Sequence, residues 1–552
     1  MTKLTYPHFE FHFPRDQWTL PHVLEYHATR SADRPCLSWL DSGKPYTFSE
    51  VNSIANQLAR GFKDLDVVKG DYVVIFLPNC LEYIFAWYAL SKLGAIEVTV
   101  GDTYKGDFLK HQVKLSKSKI LITTTELAHR LVEIEHELEH IEQIILVNET
   151  DKKSSAVDFE NINLIQFNSL FNKDKSNLEI EISPRDIAAV LFTSGTTGLS
   201  KGVMMSHSQF YFFAEEDVQL VDLGPDDIYS TGFPLFHGNA QFLTVYPSLI
   251  AGAHCILYPK FSASDFIGRI SRSGSTVCNL LGATMAFILA QPPSETDKNH
   301  NLRRIYAAPL APDLAKKFTA RFGVAEFVDG FGQTEISNIF MTPKNEKRPP
   351  GASGVLVDQF FEVRLVDPET DEQVPDGEIG ELIVRQKLPY IMSSGYLNMP
   401  EKTIEAWKNL WFHTGDMLRR DKNGWYYFVD RVKDALRRRG ENISSFEVES
   451  VVRAHPAIAE CAVVAAPADE PGGEDEVKAF IIPQKNESVV MEDLIHWCNE
   501  RMPAFMVPRY VEEIKALPQT PSEKVRKKAL RDMGNSEKTW DKLVAKLDSD
   551  KE

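Results

Sequence analysis

"LFTSGTTGLSKGVMMSH", Leu191 to His207, is the stretch on which the reading of this chain turns. An apolar run, "IAAVLF" (187–192), gives way to a string of glycines, serines and threonines that closes on Lys201. Glycines let successive backbone N–H groups converge on an anion, hydroxyls add donors, and a lysine adds charge. The composition implies a phosphate cradle at the end of a strand. It is not the standard nucleotide loop G-x-x-x-x-G-K-[ST], because Gly195, Gly198 and Gly202 have other spacings and Lys201 is followed by glycine. By itself, such a stretch reads about as often as a flexible loop.

Working outward, strand-like and helix-like patterns alternate on both sides. "DYVVIFLP", "CLEYIFAWYALSKLGA", "IEVTV", "KILITT", "ELAHRLVEIEHELEH" and "IEQIILV" predict a βαβ series, with residues 149–186 a polar connection. After the loop, "AQFLTVYPSLIAGA" reads as helix, "HCILYP" as strand, "SASDFIGRISRSG" as helix and "STVCNLLG" as strand. "RIYAAPL" and "AEFVDGFGQTE" each read as a strand ending in a loop. Series of this kind build parallel sheets covered by helices, with ligands beyond the carboxyl ends of the strands. From about residue 345, "FFEVRLVD", "EIGELIVR" and "GWYYFVD" predict a small β unit. From Lys433 onward the pattern is mixed. The expected architecture is α/β: a large N-terminal domain, 1–432, of two α/β subdomains plus the small β unit, then a small mobile α+β domain, 433–552. The last two dozen residues are polar and are expected to be loosely held.

Bulk properties agree. A chain of 552 residues is too long for one core. Its net charge of −17 argues against a nucleic-acid partner. The six dispersed cysteines form no C-x-x-C pair, which argues against zinc and a disulfide framework and for a reducing, cytoplasmic setting. Charged residues interrupt the most apolar stretch, Tyr72 to Val100, so no transmembrane segment is expected, and the first residues lack the apolar core of a signal peptide. The oligomeric state is open, a homodimer included.

"TSGTTGLSKG" resembles the signature loop of the adenylate-forming enzymes, which include acyl-CoA synthetases, peptide-synthetase adenylation domains and luciferases. "FPLFHGNA" (233–240), "AAPL" (307–310), "DGFGQTE" (329–335), "WFHTGD" (411–416), "DRVKDALRRRGENISSFEVE" (430–449) and "LPQTPSEKVRKKALR" (517–531) match family positions in order. The resemblance spans roughly residues 15–530.

It implies a carboxylate attacking the α-phosphorus of ATP, release of pyrophosphate, and displacement of AMP by a thiol. Thr193, Ser194, Gly195, Thr196, Thr197, Gly198 and Lys201 would close over the β- and γ-phosphates. Thr334 would sit on the α-phosphate and Glu335 would hold Mg²⁺. Phe331 and Gly332 would lie on one side of adenine, with Phe331 where the family usually has tyrosine. Ala308 and Pro309 would lie on the other side. Asp416 would accept from the ribose hydroxyls, and Arg431 would bind the ribose or a nearby phosphate. His237 would border the carboxylate pocket. Lys524 would reach the α-phosphate and the attacking carboxylate, although Glu523 replaces the glycine usual before that lysine. Lys527 and Lys528 are its rivals. The C-terminal domain would rotate about Lys433, bringing Arg437, Arg438, Gly440 and Glu441 to the path of CoA, the co-substrate.

Within that resemblance three readings remain: an acyl-CoA ligase, an adenylating enzyme that loads a separate carrier protein, and a non-catalytic ATP-binding protein. Lys524, Glu335 and Asp416 together argue against the last. Among ligases the chain is similar to crotonobetaine/carnitine–CoA ligases, through "QPPSETDKNHNLR", "EYIFAWYALSKLGAI" and "FVDRVKDALRRRGENIS". That resemblance implies crotonobetaine, carnitine or γ-butyrobetaine as the acid, with fatty acids and other carboxylates as alternatives. A quaternary ammonium needs an aromatic face or a carboxylate; Phe236, Phe242, Tyr246 and Phe331 lie near the right motifs.

Overall fold

The strand that feeds the glycine-rich loop, Ile187–Thr193, lies second from the edge of a seven-stranded sheet. Across the sheet the order is Asn163–Gln166, Gln143–Val147, Ile120–Thr124, Tyr72–Phe76, Ile96–Thr99, Ile187–Thr193 and Lys201–Ser206. From Asn163–Gln166 to Ile187–Thr193 every neighbouring pair is parallel. Ile96–Thr99 and Ile120–Thr124 are buried along their whole length, as strands covered on both faces must be. The computed structural model describes residues 4–147, 157–193, 200–308, 310, 312–324, 326–344, 346–368, 370–431, 436–438, 441–443, 445–467, 475–485, 487–518, 525 and 527–549.

A second seven-stranded sheet has the order Glu326–Val328, Arg304–Ala307, Val277–Leu280, Ile228–Thr231, His254–Leu257, Pro35–Trp39 and Tyr46–Thr47. It is parallel except for the last strand. The third sheet also has seven strands, so the β unit is larger than the sequence suggests. It begins before residue 345, because Gly330–Gln333 and Ser337–Met341 pair antiparallel and form its edge. Gly332 permits this hairpin: a Cβ there would come within 2.1 Å of the Ser337 carbonyl oxygen. The strand of "GFGQTE" therefore belongs to the antiparallel sheet. One apolar core joins all three sheets, with Val73, Leu37 and Phe340 among its members.

Two predicted helices differ in form. The segment 126–140 is helical only over Thr125–Val132 and then turns as Glu135–Glu137. There the Glu135 carboxylate accepts from the backbone N–H groups of Glu160 and Asn161, which pulls the chain off the helical path. The helix after "FPLFH" contains a π-turn, Gln241–Val245, ahead of Tyr246–Ala251. Pro247 lies in the next turn and has no N–H to give to Leu243. The Leu243 carbonyl instead accepts from the Asn279 amide at 3.2 Å and the Thr244 hydroxyl at 2.7 Å.

The chain divides into two compact units. One comprises 1–102, 113–192 and 202–430; the other comprises 103–112, 193–201 and 431–552. The smaller unit holds a sheet ordered Ile458–Ala466, Glu476–Pro483, Tyr510–Glu513 and Trp540–Asp541, with helices Ser445–Arg453 and Met491–Arg501. Its core includes Val452, Val463, Ile481, Cys498 and Val511, and takes in Phe108. Residues near 540 are tied down, contrary to expectation: Trp540–Asp541 pairs with Tyr510–Val511, and Asp541 bonds Arg509 at 3.0 Å. Polar composition did not reveal this, because the strand is held by backbone pairing and one ion pair.

Lys478 and Glu512 form a buried ion pair in this unit, at 2.6 Å, completed by the Gly534 carbonyl and the Thr539 hydroxyl. Removing one partner strands the other charge, which costs about 3–5 kcal/mol. Denaturant unfolding of Glu512→Ala should therefore show a loss of that size in the smaller unit. Lys478→Met combined with Glu512→Leu should recover most of it.

Candidate active site

In the larger unit, "GQTE" brings three consecutive side chains to the end of one edge strand. Gln333 donates its amide to Asp416 at 2.7 Å and to the Thr414 carbonyl at 3.0 Å. Asp416 is 2% exposed and lies on the interior strand Phe412–Arg420. Its backbone N–H is held by the Thr414 hydroxyl at 3.1 Å. The preceding Gly415 takes φ +72°, so that its N–H reaches Glu381 at 3.0 Å. The Thr334 carbonyl accepts from Gln209 at 2.8 Å. Glu335, buried at 7% exposure, accepts from the Tyr396 hydroxyl at 3.0 Å, and its carbonyl accepts from the Ser393 N–H at 2.8 Å. Burial, with the Glu335 charge beside it, pushes the Tyr396 phenol far up, so it stays a donor. A single buried carboxylate fixed in this way suits Mg²⁺, which binds through one or two carboxylates and otherwise through phosphates and water.

Phe331 is partly buried, its ring 5.8 Å from Phe340 and 6.2 Å from Phe428, which is itself 46% exposed. Ala308 follows the strand Arg304–Ala307 and is half-buried. Leu310 is held by Asp329, which accepts from the Leu310 N–H at 3.2 Å and pairs with Arg348 at 2.5 Å. His237 is half-buried and starts the helix that follows, its carbonyl accepting from Ala240 and Gln241. Its loop is clamped by Asn79, whose amide donates to the Phe233 carbonyl at 2.9 Å while its oxygen accepts from the Leu235 N–H at 2.8 Å.

The sequence reading gave no role to Gln333, Tyr396, Asp329 and Asn79, which hold the candidate residues and their loops in place. Gln333 and Asp329 stand inside the quoted motif, which was the available signal. Asn79 and Tyr396 gave only a polar residue after a strand and a lone tyrosine. The proposed aromatic set does not gather as one. The Phe236 ring neighbours His237 at 5.4 Å, Phe242 stacks on Phe213 at 4.1 Å, Tyr246 packs against Phe210, and Phe331 keeps to Phe340 and Phe428.

In the smaller unit, Thr193 ends its strand and Lys201 begins the next. Ser194, Gly195, Thr196, Thr197 and Gly198 lie outside the described residues, as do Pro309, Lys433, Gly440 and Lys524. Ser200, after the loop, is bonded by His111 and Gln112. Arg431 ends the strand Trp425–Arg431, Arg437 lies within Leu436–Arg438, and Glu441 opens Glu441–Ile443. The Arg438 guanidinium pairs with Glu476 at 2.7 Å and donates to the Phe505 and Val507 carbonyls. Lys527 is held by Glu449 at 2.7 Å and by the Ser445 hydroxyl at 2.5 Å.

The sequence profile of AMP-binding enzymes matches residues 24–397, and that of the AMP-binding enzyme C-terminal domain matches 447–524. A crotonobetaine/carnitine–CoA ligase of Escherichia coli is 31% identical over 492 residues, which is 88% of this chain and 93% of the relative. The counterpart from Salmonella paratyphi A is 30% identical over 495 residues, with the same shares. The crystal structure of an anthranilate CoA ligase in complex with anthranoyl-AMP is similar at a TM-score of 0.69 and 27% identity, covering 94% of this chain and 98% of that one. A double mutant of o-succinylbenzoate CoA synthetase from Bacillus subtilis has a TM-score of 0.77 at 24% identity, covering 94% and 98%, and bears on the fold alone. Among the described residues, no helix is long and apolar enough to cross a membrane.

One buried acid near these elements makes stability depend on pH. Glu97 has no exposure; burial holds its carboxyl well above the usual carboxylate range, opposed only by the Gln241 amide. An acid whose pKa is raised by folding favours the folded state while both states are protonated. That contribution falls as pH rises above the unfolded-state value of about 4.3. Glu97→Gln removes the fall. Thermal melts should show the variant gaining on wild type steadily as the pH is raised from 5 to 8, and an advantage that is the same at both ends of that range would remove the assignment.

Proposed function

Because the chain belongs to the AMP-binding enzyme family, as an AMP-forming acid–thiol ligase, we propose that it activates a small carboxylic acid with ATP and passes the acyl group to the thiol of CoA, the acid being a betaine such as crotonobetaine, carnitine or γ-butyrobetaine. The observation that carries the first step is the run Gln333–Thr334–Glu335, in which three neighbours are held by Asp416, Gln209 and Tyr396. In this reading a carboxylate oxygen bonds the α-phosphorus while the bond to pyrophosphate breaks. The chain's task is to position two anions and neutralise them.

Asp416, oriented by Gln333, accepts from the ribose hydroxyls, and Arg431 would bind the ribose or a nearby phosphate. Phe331 and Gly332 offer one side of the base site, Ala308 and Pro309 the other. Thr334 donates to the α-phosphate. Glu335, held by Tyr396, would carry Mg²⁺, which supplies positive charge to the phosphates when bound. Thr193 to Gly198 and Lys201 close over the outer phosphates, and His237 borders the entering acid. Lys524 is the lysine assigned to the reacting atoms. Its rival Lys527 is committed to Glu449 and Ser445. Turning about Lys433 would then replace Lys524 by the segment Arg437, Arg438, Gly440 and Glu441 along the CoA path. The Arg438 side chain supports the local hairpin there, because its guanidinium is occupied by Glu476. The betaine reading is supported by the names of the curated relatives and by the length over which they match.

Lys524→Ala should lower acid-dependent pyrophosphate release by ~10²–10³ while sparing thioester formation from supplied acyl-AMP. Equal loss in both half-reactions would remove the assignment. Pyrophosphate release measured with crotonobetaine, carnitine, butyrate, octanoate and palmitate, with and without CoA, tests the substrate. Betaines should lead the series. A rate that climbs with chain length and ignores betaines would refute the betaine reading and keep the ligase.

A further inference from the structure

The helix His207–Val221 carries Gln209, Phe213 and Asp217 at intervals of four, so all three lie along one face. Gln209, at one end of this line, bonds the Thr334 carbonyl at 2.8 Å. Phe213, one turn on, stacks on Phe242 with centroids 4.1 Å apart and planes at 25°. Phe242 in turn lies against Gly238, the residue after His237; a Cβ at 238 would meet its ring at 1.9 Å. Asp217 ends the line about 12 Å from Gln209 along the helix axis. The face therefore runs from the strand end that carries Thr334, past two stacked rings beside His237, to a carboxyl group.

Asp217 has no exposure. The Tyr229 hydroxyl is its hydrogen-bonding neighbour, yet neither carboxyl oxygen has a partner at regular hydrogen-bond geometry. Glu216 beside it is equally buried; one oxygen accepts from the Asn338 N–H at 2.9 Å and the other has no partner. Tyr306 feels both carboxyls. Tyr229 and Tyr306 lie on the same face of the second sheet, since Tyr229 is in register with Val277 and Tyr306 with Asn279. Among the described residues, no lysine or arginine pairs with Asp217 or Glu216. Their neighbour Glu215 differs: it bonds His12, Tyr211 and Gln219. Two buried carboxyls without a cation are costly to a fold unless something else is gained. Aromatic faces beside them are the surroundings in which a positive centre is bound well.

We propose that Asp217, backed by Glu216 and flanked by Phe213, Phe242, Tyr229 and Tyr306, receives the positively charged end of the acid substrate, a quaternary ammonium, and so determines which acids are accepted. The proposal rests on the ligase reading above and adds the residue that recognises the tail. It places the carboxylate of the acid toward Thr334 and His237 and its cation toward Asp217, with the Phe213–Phe242 pair between.

The test compares γ-butyrobetaine with its neutral isostere 5,5-dimethylhexanoate, which replaces nitrogen by carbon at constant shape. Acid-dependent pyrophosphate release gives kcat/KM for each acid with the full chain, ATP and Mg²⁺. Wild type should favour the betaine by about tenfold or more. Asp217→Asn should reduce that ratio by about tenfold, chiefly through KM, and Glu216→Gln should reduce it by less. Turnover of the isostere shows that a variant has folded. A ratio unchanged in Asp217→Asn, or a wild type that prefers the isostere, overturns the proposal and leaves the ligase reading standing. If Asp217→Asn does not fold, thermal melts of wild type decide. γ-Butyrobetaine should raise the melting temperature more than the isostere at equal concentration, and equal or reversed shifts overturn the proposal. No release with any acid would overturn the ligase reading and the proposal together.

Discussion

A helix buried along almost its whole length gives almost no face to water, so its polar side chains must be answered from within the protein. His207–Val221 is such a helix; of its fifteen residues only Gln219 is not buried. Its N-terminus is capped by the Ser206 hydroxyl. At its other end Asp222 takes φ 53° and is paired with Lys344. Between these ends it bonds His12 through Glu215, the turn after "GFGQ" through Gln209, and the antiparallel sheet through Glu216 and Asn338. Because this one element touches the strand end with Thr334 and the apolar interior together, a change on it reaches both.

The same economy governs the helix after His237. A proline inside it removes one hydrogen bond, and the carbonyl left behind is taken by Asn279 from the facing sheet. Asn279 also donates to Asn239 and to the Thr244 hydroxyl. The π-turn and the strand Val277–Leu280 are thereby locked to one another. Gly238 completes the arrangement by leaving the room that the Phe242 ring fills. Backbone irregularity here positions side chains, and a regular helix would direct Gln241 and Phe242 elsewhere.

How far the candidate site was legible depended on distance along the chain. Thr334, Glu335 and Asp416 stood in short strings whose spacing is itself informative. Their supports did not. Gln333 reaches Asp416 across 83 residues, Tyr396 reaches Glu335 across 61, and Asn79 reaches the Phe233 loop across 154. No local pattern marks a partner that far away. Lys527 shows the opposite case: motif position put it behind Lys524 as a rival, and its ion pair with Glu449 is a feature that no local pattern announces.

The sequence by itself determined the order of strands and helices, the loop suited to phosphate and the residues that stand in the motifs, because apolar periodicity and glycine spacing are local properties of a chain. Only the tertiary structure decided that "GFGQTE" opens an antiparallel sheet, that residues 103–112 and 193–201 group with the C-terminal segment, and that Glu97, Glu216 and Asp217 are enclosed. Pairing and burial are set by what arrives from elsewhere in the chain. A carboxylate in an amphipathic-looking segment reads as solvated until the sheets close over it, and then desolvation raises its pKa and its oxygens must be answered from within the protein.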